Sequence, residues 1–303
     1  MINFVIPQKG SYGTIIESFV EEILPFVSEY KISDTALDRC VNVIFFTENG
    51  NFKSIKADMV KSINVFMTHG IADKNWRDAS KVNKFDYVFV SGDLWVEKLV
   101  NQGLCNDKIK LGGYTRLDKL CRNKDSYIKS IDNGKKTILF APTHNTSVTS
   151  YDKFDDIIAK IKDKYNIIIS EHPYNKTVKK VTSTQFLEAD VIVGDFGSSM
   201  YEGWTLGKPA VLPDWLVKDD ILEKYPTSFE AQIYRDGIGY HAKDEKEFIK
   251  LIEKACLYGI TQKEIDFIDG IFNKDLRGNG GKVTGDILKE LELLVKWLEL
   301  LEL

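Results

Sequence analysis

Three of the four histidines in this chain follow short apolar runs of the kind that form buried strands: His69 in "MTHGIADK", His144 in "FAPTHNTS" and His172 in "SEHPY". Histidine accepts a proton near neutral pH, so a histidine at a strand end is a candidate base, although one taken alone is more often structural. A fourth run, "VIVGDFGSSMYEGWTLGKPAVLPD" (Val191 to Asp214), ends instead in an acid, a glycine and two serines. The chain must turn there into a helix that Pro209 ends. A helix that begins Gly-Ser-Ser offers free backbone N–H groups and hydroxyls at the positive end of its dipole, which is a place for a phosphate.

The surrounding residue types extend that reading. Asp195, Ser198 and Ser199 stand at the turn, Glu202 is placed to reach ribose hydroxyls, and Lys208 and Asp214 follow. Together they follow the logic of a nucleoside-diphosphate site, with N–H groups and hydroxyls on phosphate and a lysine countering charge. Singly, each has a bland reading: Asp195 and the serines as a helix cap, Glu202 as a solvated helix residue, Lys208 as a surface charge. Thr143 and His144 lie in a loop rich in hydroxyls and amides that could equally be an ordinary turn. Gly70 permits close approach of a ligand to backbone beside His69, and Lys74 lies about one helical turn further on. No metal-ligand set is present: there is no HExxH, no Walker GxxxxGK[ST] and no GxGxxG. "RGNGGK", Arg277 to Lys282, is glycine-rich and basic but follows no predicted strand, so it is a weak phosphate loop.

Positioning these residues requires strands. Apolar runs at Ile2–Ile6, Val41–Phe46, Ile63–Met67, Tyr87–Val90 and Ile109–Leu111 form one set. Thr137–Ala141, Ile167–Ser170, Val191–Val193, Ala210–Leu212 and Ile238–Tyr240 form another. Helical stretches alternate with them, at Tyr12–Ser28, Asp93–Asn101, Phe154–Lys164, Ser198–Leu206 and Glu245–Tyr258. Alternation of this kind implies doubly wound parallel sheets whose ligands bind at the carboxyl ends of the strands. The polar, lysine-rich stretch from Cys121 to Lys136 divides the two sets. The expected organisation is a Rossmann-like domain over 1–125, a nucleotide-binding Rossmann-like domain over 126–285 and an amphipathic helix over 286–303.

Composition narrows the class. With 303 residues, 43% hydrophobic and 28% charged, the chain is of ordinary globular make-up, and a net charge of −4 gives no sign of a nucleic-acid partner. Four scattered cysteines argue against a disulfide framework or zinc site and for a reducing cytoplasm. The first apolar run is too short for a signal peptide or a span. The closing "ILKELELLVKWLELLEL" is too interrupted by charge to cross a bilayer. It reads first as a terminal helix packed on a neighbouring domain, with peripheral membrane docking or oligomer contact as the alternative.

Six motifs in order, "MTHG", "GGYTRLDKL", "ILFAPTHN", "SEHPY", "ADVIVGDFGSSMYEG" and "GKPAVLPD", resemble those of the CDP-glycerol glycerophosphotransferases, the family of teichoic-acid primases and polymerases and related capsule enzymes. The resemblance covers roughly Ile63 to Leu288 and implies a GT-B fold, two Rossmann-like domains across a cleft. It implies that His69 deprotonates an acceptor hydroxyl, that His172 holds and neutralises the donor diphosphate, and that Asp195 with Ser198 binds its phosphates. The arginine and aspartate of the family's GxxRxD motif fall on Arg116 and Asp118, for which the residues themselves suggest an ion pair or helix start. The implied activity moves glycerol phosphate from CDP-glycerol, the donor substrate, to a hydroxyl of a teichoic-acid, capsule or other glycan acceptor, without a cofactor. The sequence departs from the family at Gly197, where a first serine is usual, and at His144 and Asn145, where an aromatic residue and an arginine are usual. An NDP-sugar-dependent glycosyltransferase or epimerase on the same fold is the alternative.

Overall fold

The computed structural model describes residues 1–6, 12–46, 62–74, 78–143, 148–150, 153–170 and 184–300. Two compact units divide the chain. The first comprises Met1–Ile71, Arg77–Lys119 and Gly270–Leu303; the second comprises Ala72–Trp76 and Leu120–Asp269.

The first unit holds β1 (Ile2–Val5), α1 (Tyr12–Ile23), β2 (Tyr30–Ser33), β3 (Val41–Phe46), β4 (Ile63–Thr68), α2 (Ala79–Val82), β5 (Tyr87–Val90), α3 (Asp93–Asn101), β6 (Ile109–Leu111) and the start of α4 (Asp118–Asn123). Its sheet is parallel throughout, in the order β2-β1-β3-β4-β5-β6. The central strands are apolar on both faces, as a sheet covered on both sides requires. One polar row interrupts them. Asn3, Asn42 and Asn64, each the second residue of its strand, are aligned on neighbouring strands. Asn3 Nδ2 donates to Asn42 Oδ1 at 2.9 Å, and Asn42 Nδ2 donates to Asn64 Oδ1 at 3.2 Å. Asn42 also bonds the backbone N–H and C=O of Leu37. A one-residue slip would bury these amides unpaired, so the ladder holds the strands in register.

The second unit holds β7 (Thr137–Phe140), α5 (Asp155–Ile161), β8 (Asn166–Ile169), α6 (Gln185–Glu188), β9 (Val191–Val193), α7 (Ser198–Thr205), β10 (Ala210–Pro213), α8 (Asp214–Lys224), α9 (Phe229–Asp236), β11 (Tyr240–Ala242), α10 (Glu245–Tyr258) and most of α11 (Gln262–Ile271). The strand order is β11-β10-β9-β7-β8, again all parallel. Ile138, Phe140, Val191, Val193 and Val211 pack with α5 and α10. On α7, Tyr201 and Trp204 join Phe229 and Phe267 in an aromatic cluster. Buried Glu264 accepts hydrogen bonds from Trp204 Nε1 and from the N–H groups of Ala210 and Thr261, tying α11 to α7 and β10. Its burial raises the carboxyl above its ordinary range despite those bonds.

Two domain boundaries differ from the sequence expectation. The first unit gives way to the second at Lys119 and Leu120 rather than at 125, and the chain from Gly270 onward returns to the first unit. The last helix, α12 (Gly280–Leu300), therefore begins before residue 286 and packs along α1. The reason lies in "RGNGGK", whose glycines form a seam. Gly278 has φ +85°, and a Cβ on Gly281 would stand 2.0 Å from the Glu22 carbonyl oxygen. Backbones approach there as only glycine allows. Gly281→Ala should therefore destabilise the first unit by about 3 kcal/mol through forced overpacking. Thermal unfolding would show this as a lowered transition temperature.

Other differences are smaller. β2 lies at the sheet edge and is largely exposed, so it lacks an apolar signature. β11 begins two residues later than the run at Ile238–Tyr240 suggests. Among the described residues no helix is long and apolar enough to cross a membrane.

Candidate functional site

In the first unit, His69 directly follows β4, an interior strand of the sheet, and is half-buried. The turn is set by Thr68, whose hydroxyl donates to the Gly70 carbonyl at 2.6 Å and accepts from the Gly70 N–H at 3.2 Å. The imidazole is thus carried by a short bonded turn at the carboxyl end of the sheet, where ligands of such folds bind.

Arg116 and Asp118 both lie in the first unit. Arg116 lies in the 3-10 turn Thr115–Leu117. Asp118 is fully buried and accepts from Gly278 N at 3.2 Å and Gly281 N at 2.6 Å. It therefore caps the start of α12, in line with the helix-start reading. That carboxylate also occupies the basic glycine tract suspected as a weak phosphate loop.

In the second unit, β9 ends at Val193 and the chain enters α7 through Gly197, whose position carries no side-chain cap. Gly203 lets the helix lie close on β9, since a Cβ there would stand 2.7 Å from Ile192 Cγ1. The N-terminus of α7 is thereby fixed at the carboxyl end of the sheet. Asp195 organises what surrounds it. One carboxylate oxygen accepts from Thr143 N at 2.8 Å and Phe196 N at 2.6 Å; the other accepts from Ser150 N and Ser150 Oγ, both at 2.8 Å. Four donors on a fully buried carboxylate make Asp195 the anchor of the loop after β7. Tyr234 adds a hydrogen bond to the Asp195 carbonyl at 2.9 Å. Burial, and then the charge of Asp195, push its phenol well above the ordinary range, so it remains a donor.

Ser199 donates to the Ala141 carbonyl at 2.8 Å, and Ser198 Oγ accepts from Ala72 N at 3.3 Å. Thr143, buried, takes a hydrogen bond from Lys74 Nζ at 3.3 Å, and that ammonium lies 5.4 Å from the centre of the Phe196 ring. The structure thus brings Lys74, Thr143, Ser198 and Ser199 to one helix N-terminus around Asp195, a group suited to a dianionic phosphate. Glu202 is buried on the same helix.

One predicted residue falls elsewhere. Lys208 precedes β10 and so stands at the opposite, amino end of the parallel sheet. Its ammonium is pushed down by burial and by Lys129, with Asp190 opposing. A lysine at the amino end of β10 does not share the end of the sheet at which α7 begins. Asp214, directly after β10, is at the carboxyl end. Its two oxygens meet His241 Nδ1 at 2.6 Å and Lys218 Nζ at 3.2 Å. His241 Nε2 lies 3.0 Å from the Ile238 carbonyl, so both ring nitrogens face acceptors. His144 and His172 lie outside the described residues. Among the described residues no cluster of three or more His, Cys, Asp or Glu side chains could hold a metal ion.

Residues 26–256 match the family described as CDP-Glycerol:Poly(glycerophosphate) glycerophosphotransferase. The chain belongs to that family. Among solved structures, this glycerophosphotransferase-family chain is similar to the wall teichoic acid polymerase TagF, with a TM-score of 0.65 at 14% identity over 97% of this chain and 90% of that one. It is also similar to S. aureus MnaA in its UDP co-structure, with a TM-score of 0.57 at 11% identity over 93% and 94% of the two chains. No curated protein matches it. Both likenesses concern the fold, which is GT-B, two Rossmann-like parallel-sheet domains.

Sequence reasoning missed Glu230 and His241. Glu230 follows Ser228, which caps α9 by accepting from Ala231 N at 3.0 Å. The sequence therefore signals a helix start there, and nothing in it marks the glutamate as facing inward. His241 sits in an edge strand whose pattern is only three residues long.

Proposed function

We propose that this chain transfers glycerol phosphate from CDP-glycerol to a hydroxyl of a cell-wall or capsule polymer and releases CMP. The observation that carries the reading is the group of Lys74, Thr143, Ser198 and Ser199 at the start of α7, in a chain whose family acts on CDP-glycerol. In this reaction His69 takes the proton of the acceptor hydroxyl. The freed oxygen attacks the β-phosphorus, the new O–P bond forms, and the bridging P–O bond breaks with its electron pair leaving on CMP. The work of the site is orientation and charge stabilisation, with helix N–H groups, hydroxyls, Lys74 and His172 holding the diphosphate. No protein-held metal enters the scheme. The enzyme works on the cytoplasmic side, and exposed Leu293, Trp297 and Leu300 on α12 suit peripheral contact with the inner face of the membrane.

The test is product analysis. Purified protein is incubated with CDP-glycerol, CDP-ribitol or a UDP-sugar and with glycerol-phosphate oligomers as acceptor, with and without EDTA. CMP release with a new phosphodiester signal in phosphorus NMR, unaffected by EDTA, is the expected result. A glycosidic product from the UDP-sugar would replace this reading with that of a sugar-nucleotide enzyme.

A further inference from the structure

The segment Ala72–Lys74 belongs to the second unit although the chain on either side of Ala72–Trp76 belongs to the first. It is held there by a two-way clasp. Glu230, fully buried at the start of α9, accepts from Asp73 N through Oε1 and from Lys74 N through Oε2, both at 2.9 Å. Asp73, also fully buried, returns the contact by accepting from Phe229 N at 2.9 Å. Tyr201 of α7 donates to Glu230 Oε1 at 2.7 Å, so the clasp is referenced to the same helix whose N-terminus forms the candidate site. Lys74 itself adopts φ +46°, a left-handed conformation that non-glycine residues adopt rarely and at a cost. Such strain persists where the surroundings over-determine it, and two consecutive N–H groups converging on one carboxylate do so. The outcome is an ammonium brought to Thr143 Oγ1 and over the Phe196 ring.

We infer that Glu230 is a positioning residue for donor binding: through the Asp73–Lys74 backbone it fixes the Lys74 ammonium where the donor diphosphate binds. The inference rests on the CDP-glycerol reading above. Glu230 does not touch the donor. Its effect on affinity passes through Lys74, and that dependence separates it from a residue that only stabilises the fold.

A double-mutant cycle measured by calorimetric titration with CDP-glycerol tests this, with thermal unfolding run on every variant. Lys74→Met keeps the apolar stem and removes the charge; affinity should fall about ten- to a hundredfold, as expected for loss of one charge-assisted contact. Glu230→Gln places an amide N–H₂ against a backbone N–H and should weaken binding about three- to tenfold by loosening the clasp. The double variant should bind within about twofold of Lys74→Met alone, because the two changes remove one interaction. Additive losses, or unchanged affinity in folded Glu230→Gln protein, would overturn the inference while leaving the functional reading intact. If wild-type protein fails to bind CDP-glycerol, the functional reading falls and takes this inference with it. Should Glu230→Gln not fold, Asp73→Ala opens the clasp from its other side and is held to the same criterion.

Discussion

Replacing His69 with alanine is expected to lower kcat by about a hundred- to ten-thousandfold, the range that a positioned general base contributes, while CDP-glycerol binds as in the wild type. The half-buried imidazole is carried on the Thr68–Gly70 turn at the end of β4 in the first unit. Lys74, Thr143, Ser198 and Ser199 belong to the second. Removing the ring takes away the proposed proton acceptor; the hydrogen bonds that hold Asp195, Thr143 and the start of α7 are made within the second unit. Steady-state kinetics combined with calorimetric titration of the donor separates the two effects. Loss of donor affinity with turnover preserved at saturation would assign His69 to binding and leave the base unidentified.

Asp195→Ala should have the larger effect on stability and abolish measurable donor binding as well. Four donors converge on its carboxylate: the backbone N–H groups of Thr143, Ser150 and Phe196, and the Ser150 hydroxyl. Truncation leaves all four buried with no acceptor, at a cost of about 3–5 kcal/mol even after local relaxation. The loop after β7 would lose its anchor, and Thr143 would lose its place beside Lys74. Asp195→Asn retains one acceptor oxygen and should fall between. Thermal unfolding and donor titration on both variants check the order. An alanine variant as stable as wild type would show that the carboxylate is dispensable to the loop and acts some other way.

That dual part of Asp195 illustrates how far the residues alone could be read. Short β-branched runs separated by amphipathic stretches imply parallel strands because strands buried on both faces have no alternation to show, and the runs after which His69 and Asp195 stand were legible for that reason. The helix start at Gly-Ser-Ser was legible too, since its hydroxyls and its glycine are local signals. Edge strand β2 was not, because it is largely exposed and carries little apolar pattern.

Partnerships were the part that linear order concealed. Asp118 reads as a motif acid, yet the backbone of residues 160 and 163 positions away claims it as the cap of α12. Lys208 follows the serines closely in sequence but stands at the opposite end of the sheet, because α7 runs antiparallel to the strands and carries the chain back to their amino ends. Glu230 and the Ala72–Lys74 segment, more than 150 residues apart, make one clasp. Element type and the residues at strand ends follow from local composition and period, which short-range sterics and burial impose. Which carboxylate meets which N–H, and which unit each segment joins, depends on contacts between distant segments, and only the folded chain brings those groups together.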